Sequence, residues 1–161
     1  MHVADTRTKE QRSRIMKSVG SRNTGPELAV RRLLHHLGYR YRLHRRDLPG
    51  KPDIVFPGRR SVIFVHGCFW HGHDCDKGKL PKSRAEYWIA KIKTNQERDA
   101  RAIARLKETG WRTLSVWQCE LKNLDTTERM LRKFLGPPGF RSKSHPTSLK
   151  RALKNRNGRL D

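Results

Sequence analysis

Acidic residues are scarce in this chain. Only 15 Asp and Glu stand against 37 Lys and Arg among 161 residues, which leaves a formal net charge of +22. Solubility alone requires far less, so the imbalance points to a polyanionic partner. Long apolar runs are missing too, and none approaches the roughly 20 residues needed to cross a bilayer as a helix. Nucleic acid is therefore a better match for the charge than a membrane. Cysteine is confined to Cys68, Cys75 and Cys119. An odd number, with no secretory signal, argues against a disulfide framework and predicts reduced thiols in the cytoplasm. No internal repeat is evident, and the length suits one domain with tails rather than two domains.

What the chain does have is concentrated in Val62-Ile-Phe-Val-His-Gly-Cys-Phe-Trp-His-Gly-His-Asp-Cys75. Val62 to Val65 are β-branched or aromatic and follow the turn sequence Pro57-Gly58-Arg59-Arg60, which predicts a buried strand with a ligand-rich loop at its end. Cys68, His73 and Cys75 are ligands of the type that hold zinc, and a structural zinc takes four protein donors. Cys119 is the remaining cysteine, and it follows a second strand-like run, Thr113 to Trp117. A neighbouring strand would bring it to the same end of the sheet and complete a Cys3His site. A Cys68–Cys75 disulfide or unrelated buried thiols are the alternatives, and His71 in place of His73 stays open in so crowded a loop. His66 and His71 are otherwise left over, either as bases near neutral pH or as rings stacked in a polar loop. Phe69 and Trp70 are adjacent aromatics that cannot easily both face a core. One of them is placed to cover the zinc.

In chain order, Thr8 to Val19 has only the narrow apolar stripe of Ile15, Met16 and Val19. A firmer helix is predicted from Thr24, with Glu27 at capping-box spacing, Pro26 in the first turn, Leu28, Leu33, Leu34 and Leu37 as its apolar face, and Gly38 as its stop. Strands are expected at Tyr39 to His44, within Leu48 to Phe56, and at Ser61 to His66. Ser83 and Glu86 predict the start of a helix carrying Tyr87, Trp88, Ile89 and Ile92, and a second helical stretch follows from about Asn95 to Thr109, before Gly110. A strand at Trp111 to Trp117 precedes a last helix capped by Asp125 or Thr126 and ended by Gly136-Pro-Pro-Gly139. Beyond Phe140 the chain is basic with few apolar residues, which predicts a tail disordered or helical only when bound.

Asp53 opens the second strand in Gly50-Lys-Pro-Asp-Ile-Val55. Phosphodiester hydrolysis needs charge neutralisation and an activated water, and a carboxylate-bound Mg²⁺ supplies both, although Pro-Asp is also an ordinary turn dipeptide. The α-β-β-β-α-β order, this Pro-Asp, and the run from Val62 to Cys75 closely resemble the very short patch repair (Vsr) endonuclease family. Glu86-Tyr-Trp-Ile-Ala-Lys-Ile, Asn95-Gln-Glu-Arg-Asp99, Leu106 to Trp111 and Val116-Trp-Gln-Cys119 match the family's further landmarks, so the resemblance covers roughly Thr8 to Leu135.

The resemblance implies a restriction-endonuclease-like α/β fold, a mixed sheet flanked by helices with a structural zinc. It implies Mg²⁺-dependent nicking of duplex DNA 5′ to the thymine of a T:G mismatch, the product of 5-methylcytosine deamination. Asp53 resembles the Mg²⁺ ligand, and Glu27 an acidic residue that assists it. His71 resembles the water-activating base, Asp99 its orienting carboxylate, and His66 another active-site histidine. Cys68, His73, Cys75 and Cys119 match the zinc ligands. Phe69, Trp70 and Trp88 resemble wedges at the mismatch, and Met16 and Asn95 join them as expected DNA contacts. The implied organisation is a basic arm at 1–23, an endonuclease domain at 24–136 and a basic tail at 137–161. The enzyme is expected to be a monomer at the nucleoid, with mismatch-repair proteins such as MutL as partners. Val65 departs from the family's threonine, so only its backbone carbonyl is left to meet Mg²⁺, and the second carboxylate or lysine usual in this fold has no evident counterpart nearby. A non-catalytic, zinc-stabilised DNA-binding module is the alternative from another class; an RNA-binding basic protein draws only on the charge.

Overall fold

The computed structural model describes residues 23–81 and 84–139. The expected helix at Thr8 to Val19, Met16, Ser83 and the chain beyond Gly139 lie outside them.

Helix α1 (Gly25–His36) starts as its sequence predicts. Thr24 accepts from the Glu27 backbone N–H, and the Glu27 carboxylate accepts in return from the Thr24 N–H. Gly38, at φ +86°, lets the chain turn off the helix without strain. The buried face differs from the expected leucine stripe. Val30 and Leu34 are fully buried, Leu28 and Leu33 only partly so, and Glu27 and Arg31 are buried with the apolar residues. A charged pair on the inner face of a helix marks a site rather than a packing surface.

Four strands follow the expected order with shorter bounds: β1 (Arg42–Leu43), β2 (Ile54–Phe56), β3 (Ser61–His66) and β4 (Arg112–Trp117), lying side by side in sequence order. Strand β1 is much shorter than Tyr39 to His44. Tyr39 is buried, with its hydroxyl donating to the Gly136 carbonyl at 2.5 Å, and His44 turns the chain at φ +48°. The pairs β1–β2 and β2–β3 are antiparallel, whereas β3–β4 is parallel with Val65 opposite Val116 and His66 opposite Trp117. Both β3 and β4 therefore end on the same side of the sheet, as the shared cysteine site requires.

The two helical stretches expected after the cysteine loop are one helix, α2 (Ala85–Glu108). Its start is Arg84 in the left-handed region, with no side-chain cap. Charged residues across Lys91 to Asp99 hide the continuity, because the helix buries only Ile92, Ala102 and Leu106. Helix α3 (Leu124–Leu135) is capped by Asn123, whose side chain accepts from the Thr126 N–H at 3.0 Å, and not by Asp125 or Thr126. Alternation along the strands sends Ile54, Phe56 and Ile63 toward α1 and α3, and Val55, Val62 and Phe64 toward Leu106 of α2. The result is a mixed four-stranded sheet covered by helices on both faces, which leaves the strand ends to carry chemistry.

Candidate active site

Three groups of side chains converge where β3 leaves the sheet. The first is acidic. Asp53 stands just before β2, and its Oδ2 accepts from the Val65 N–H at 2.8 Å across the antiparallel pair. Burial, with the charge of Glu27 adding to it, pushes the Asp53 carboxyl up to about 6 despite that hydrogen bond. Glu27 reaches in from α1 at 2% exposure, with one oxygen toward its own helix start and the other shared by Arg31 and, at 3.3 Å, His44 Nε2. Glu27, His44 and Asp53 each present a ligand atom within 4.8 Å of the others. The two carboxylates supply the oxygen ligands that a hard divalent cation takes, and the imidazole is a softer donor beside them.

The second group is a histidine pair. His71 Nδ1 meets Asp99 Oδ2 of α2 at 2.6 Å, and Arg98 donates to the other oxygen of the same carboxylate. Burial alone would raise the Asp99 carboxyl, but the hydrogen bond and charge of His71 outweigh it and hold the group below its ordinary value. The His66 ring lies 4.2 Å from that of His71, packed against Phe64 and Trp117. Burial, reinforced by the charge of His71, lowers His66 to about 4, so it is neutral near pH 7.

The third group is thiol-rich. Cys68, His73, Cys75 and Cys119 place one donor each within 4.8 Å of the rest, and all three cysteines are free. Cys119 Sγ lies 3.4 Å from His73 Nδ1. A tetrahedral zinc with bonds of about 2.3 Å to sulfur and 2.0 Å to nitrogen would separate two such donors by about 3.5 Å. The hydrogen bond from His73 draws Cys75 down to about 7, while burial and hydrogen bonding with Cys68 and Cys75 push Cys119 up to about 11. A loop folded onto itself sets the geometry. The His73 N–H donates to the Cys68 carbonyl, the Cys75 N–H to that of His73, and the His73 ring stacks on Trp117 at 4.2 Å.

The same loop is fastened to α2. Asn95 donates to the Trp70 carbonyl and Gln96 to that of His71, both at 2.9 Å. Gly72, at φ +59°, packs so closely that a Cβ would meet Ile92 at 2.7 Å. Phe69, Trp70 and Trp88 form an edge-to-face cluster with centroids 5.0–5.9 Å apart, and Tyr87 extends it at 5.2 Å from Trp88.

A family model described as DNA mismatch endonuclease Vsr matches residues 4–77. The chain is 58% identical over 135 residues to the type II nicking enzyme V.XorIIP of Xanthomonas oryzae pv. oryzae, covering 84% of this chain and 99% of that one. The chain belongs to the Vsr family of DNA mismatch endonucleases. It is 46% identical over 120 residues to the DNA mismatch endonuclease Vsr of Escherichia coli (strain K12), covering 74% of this chain and 77% of that one. Among solved structures, the catalytic domain of the homing endonuclease I-Bth0305I aligns with a TM-score of 0.49 at 22% identity, over 70% of this chain and 94% of that one.

In this Vsr-family endonuclease the residues singled out by sequence fall together in large part. Asp53 and Glu27 share one group, His66, His71 and Asp99 another, and Cys68, His73, Cys75 and Cys119 a third. His73, not His71, sits with the cysteines. Glu27, expected to assist the Asp53 site, stands beside Asp53 as a second carboxylate. Val65 offers its backbone N–H to Asp53 and has no polar side chain. Asn95, expected as a DNA contact, holds the loop. His44 was missed, because nothing in Leu43-His44-Arg45 signals chemistry; only the β1–β2 register, with the His44 N–H donating to the Asp53 carbonyl at 3.4 Å, brings it to the carboxylates.

Proposed function

We propose that this endonuclease nicks duplex DNA 5′ to the thymine of a T:G mismatch, in a Mg²⁺-dependent reaction at the strand end shared by Asp53 and His71. Asp53, Glu27 and His44 are the residues to hold the ion, together with the Val65 backbone carbonyl. The chemistry such an ion supplies is neutralisation of phosphate charge and acidification of a water molecule.

The observation that carries the reading is the His71–Asp99 pair. A carboxylate accepting from Nδ1–H leaves the His71 Nε2 lone pair directed away from it, ready to take a proton from water. The water oxygen then bonds to phosphorus and one bridging P–O bond breaks. Asp99 keeps the tautomer and steadies the imidazolium that forms. His66, neutral and buried, stands beside His71 without adding positive charge. Cys68, His73, Cys75 and Cys119 form the structural zinc centre that holds the loop carrying His71.

Phe69, Trp70 and Trp88 are the wedge. Unstacking a duplex step costs a few kcal/mol and least at a mismatch, so an aromatic cluster at the edge of the site favours T:G over paired DNA. Deaminated 5-methylcytosine as the source of the lesion, the restriction-endonuclease-like assignment and action as a monomer belong to the same reading. The test uses end-labelled duplexes differing only in a central T:G, T:A or C:G pair, with Mg²⁺ present or withheld. A single nick 5′ to the thymine of T:G, in Mg²⁺ alone, is the expected result. Equal cutting of all three duplexes, or cutting without a divalent ion, would reject the proposal.

A further inference from the structure

His66, His71 and Asp99 make a donor set richer than proton transfer needs. A base and its orienting carboxylate account for His71 and Asp99, which leaves the second, buried imidazole of His66 unexplained. One ligand atom of each residue lies within 4.8 Å of the other two, and the set shares no member with the cysteine group or with the Glu27, His44 and Asp53 group. Its chemistry differs from both. Two neutral imidazoles and a carboxylate suit borderline transition metals, whereas Mg²⁺ prefers oxygen and keeps its waters. The elements are firm supports: His66 ends a buried strand, Asp99 lies inside α2, and the His71 carbonyl is fixed by Gln96.

We propose that His66, His71 and Asp99 form a second transition-metal site, taking Zn²⁺, Ni²⁺ or Co²⁺, and that filling it silences nicking. Silencing follows because a metal that replaces the proton on His71 Nδ1, the nitrogen facing Asp99, leaves the ring proton on Nε2, which then has no lone pair to take a proton from water, and this half of the inference rests on His71 being the base. Ni²⁺ should be more potent than Co²⁺, the general order for nitrogen donors. Competition with Mg²⁺ at the Asp53 group would not depend on His66 or His71.

The test titrates Ni²⁺ into the full chain already carrying its zinc, by calorimetry without DNA and with Mg²⁺ in large excess to fill the Asp53 group, while zinc content is followed. One further equivalent should bind with zinc retained. His66→Asn and Asp99→Asn should each weaken it at least about tenfold, and Asp53→Asn should leave it in place. Asp99→Asn lies at a half-exposed helix position, so it covers the case of a His66 variant that does not fold. In Mg²⁺-supported nicking of the wild type, Ni²⁺ should inhibit with a midpoint near the calorimetric Kd, and a chelator should reverse it. No further equivalent, one that survives both His66→Asn and Asp99→Asn, or one lost in Asp53→Asn would overturn the site. Ni²⁺ bound through His66 and Asp99 without inhibition would overturn the silencing and the assignment of His71 as the base.

Discussion

Asp53 and His66 are titrating groups displaced in opposite directions by the same burial. The folded Asp53 carboxyl, at about 6, lies above its ordinary 3.8, so its contribution to stability is complete below about pH 4 and is lost as the pH rises through 6. His66, at about 4 against an ordinary 6.5, behaves the other way: its contribution is present above pH 6.5 and is lost as the pH falls through 4. Without Mg²⁺ the two nearly offset each other across that window. Asp53→Asn should therefore stabilise the Mg²⁺-free protein at pH 7, by on the order of 2–3 kcal/mol, and unmask the acid-side loss from His66. Thermal melts at pH 5 and pH 7 without added Mg²⁺ check both signs; an unchanged or lower melting temperature at pH 7 would contradict them. His71→Ala should retain zinc and folding while lowering the nicking rate by about two to four orders of magnitude. Asp99→Ala should impair the same step less. Single-turnover rates with zinc analysis decide, and loss of zinc from His71→Ala with retention in His73→Ala would reverse the two histidines.

At the scale of elements, the parallel pairing of β3 with β4 makes the site possible, because it sets Cys119 beside a loop that begins about fifty residues earlier. Cys119→Ser should lower bound zinc and the melting temperature together, since it removes the donor that ties β4 to the loop. Metal analysis and a thermal melt would show this, and an unaltered zinc content would remove Cys119 from the set. The thiol group was legible in the sequence for a simple reason: three of its donors fall within eight residues, and the chain has only one other cysteine. Strands β2 and β3 were legible because both faces are buried and the apolar runs are continuous. The long helix α2 was legible only in two pieces, since so little of its length meets the core. His44 was not legible, because its meaning comes from strand register; Glu27 read by its spacing as a helix cap, and only the family resemblance placed it beside Asp53.

Over the whole molecule, charge and specificity are separate properties. The surplus of +22 acts on any phosphate backbone, while on the proposed reading discrimination falls to the aromatic cluster of Phe69, Trp70 and Trp88 and cutting to Asp53 and His71. Residues beyond Gly139 include seven Lys and Arg and one Asp. Deleting them should weaken binding to matched and mismatched duplex alike and make the salt dependence shallower, by close to one counterion for each phosphate that the tail no longer neutralises. Preference for the mismatch should persist. Binding isotherms over a range of salt concentrations test this, and a truncation that changed specificity without changing the slope would contradict it. The central claim is that recognition and cutting use different residues, and it is tested most directly by following binding and single-turnover nicking of one T:G duplex in Mg²⁺ by the wild type and Asp53→Asn side by side. Asp53→Asn should bind the mismatch as the wild type does and leave the strand intact; a nick from the variant would remove Asp53 from the cutting residues, and loss of mismatch binding with it would show that the two functions share this residue.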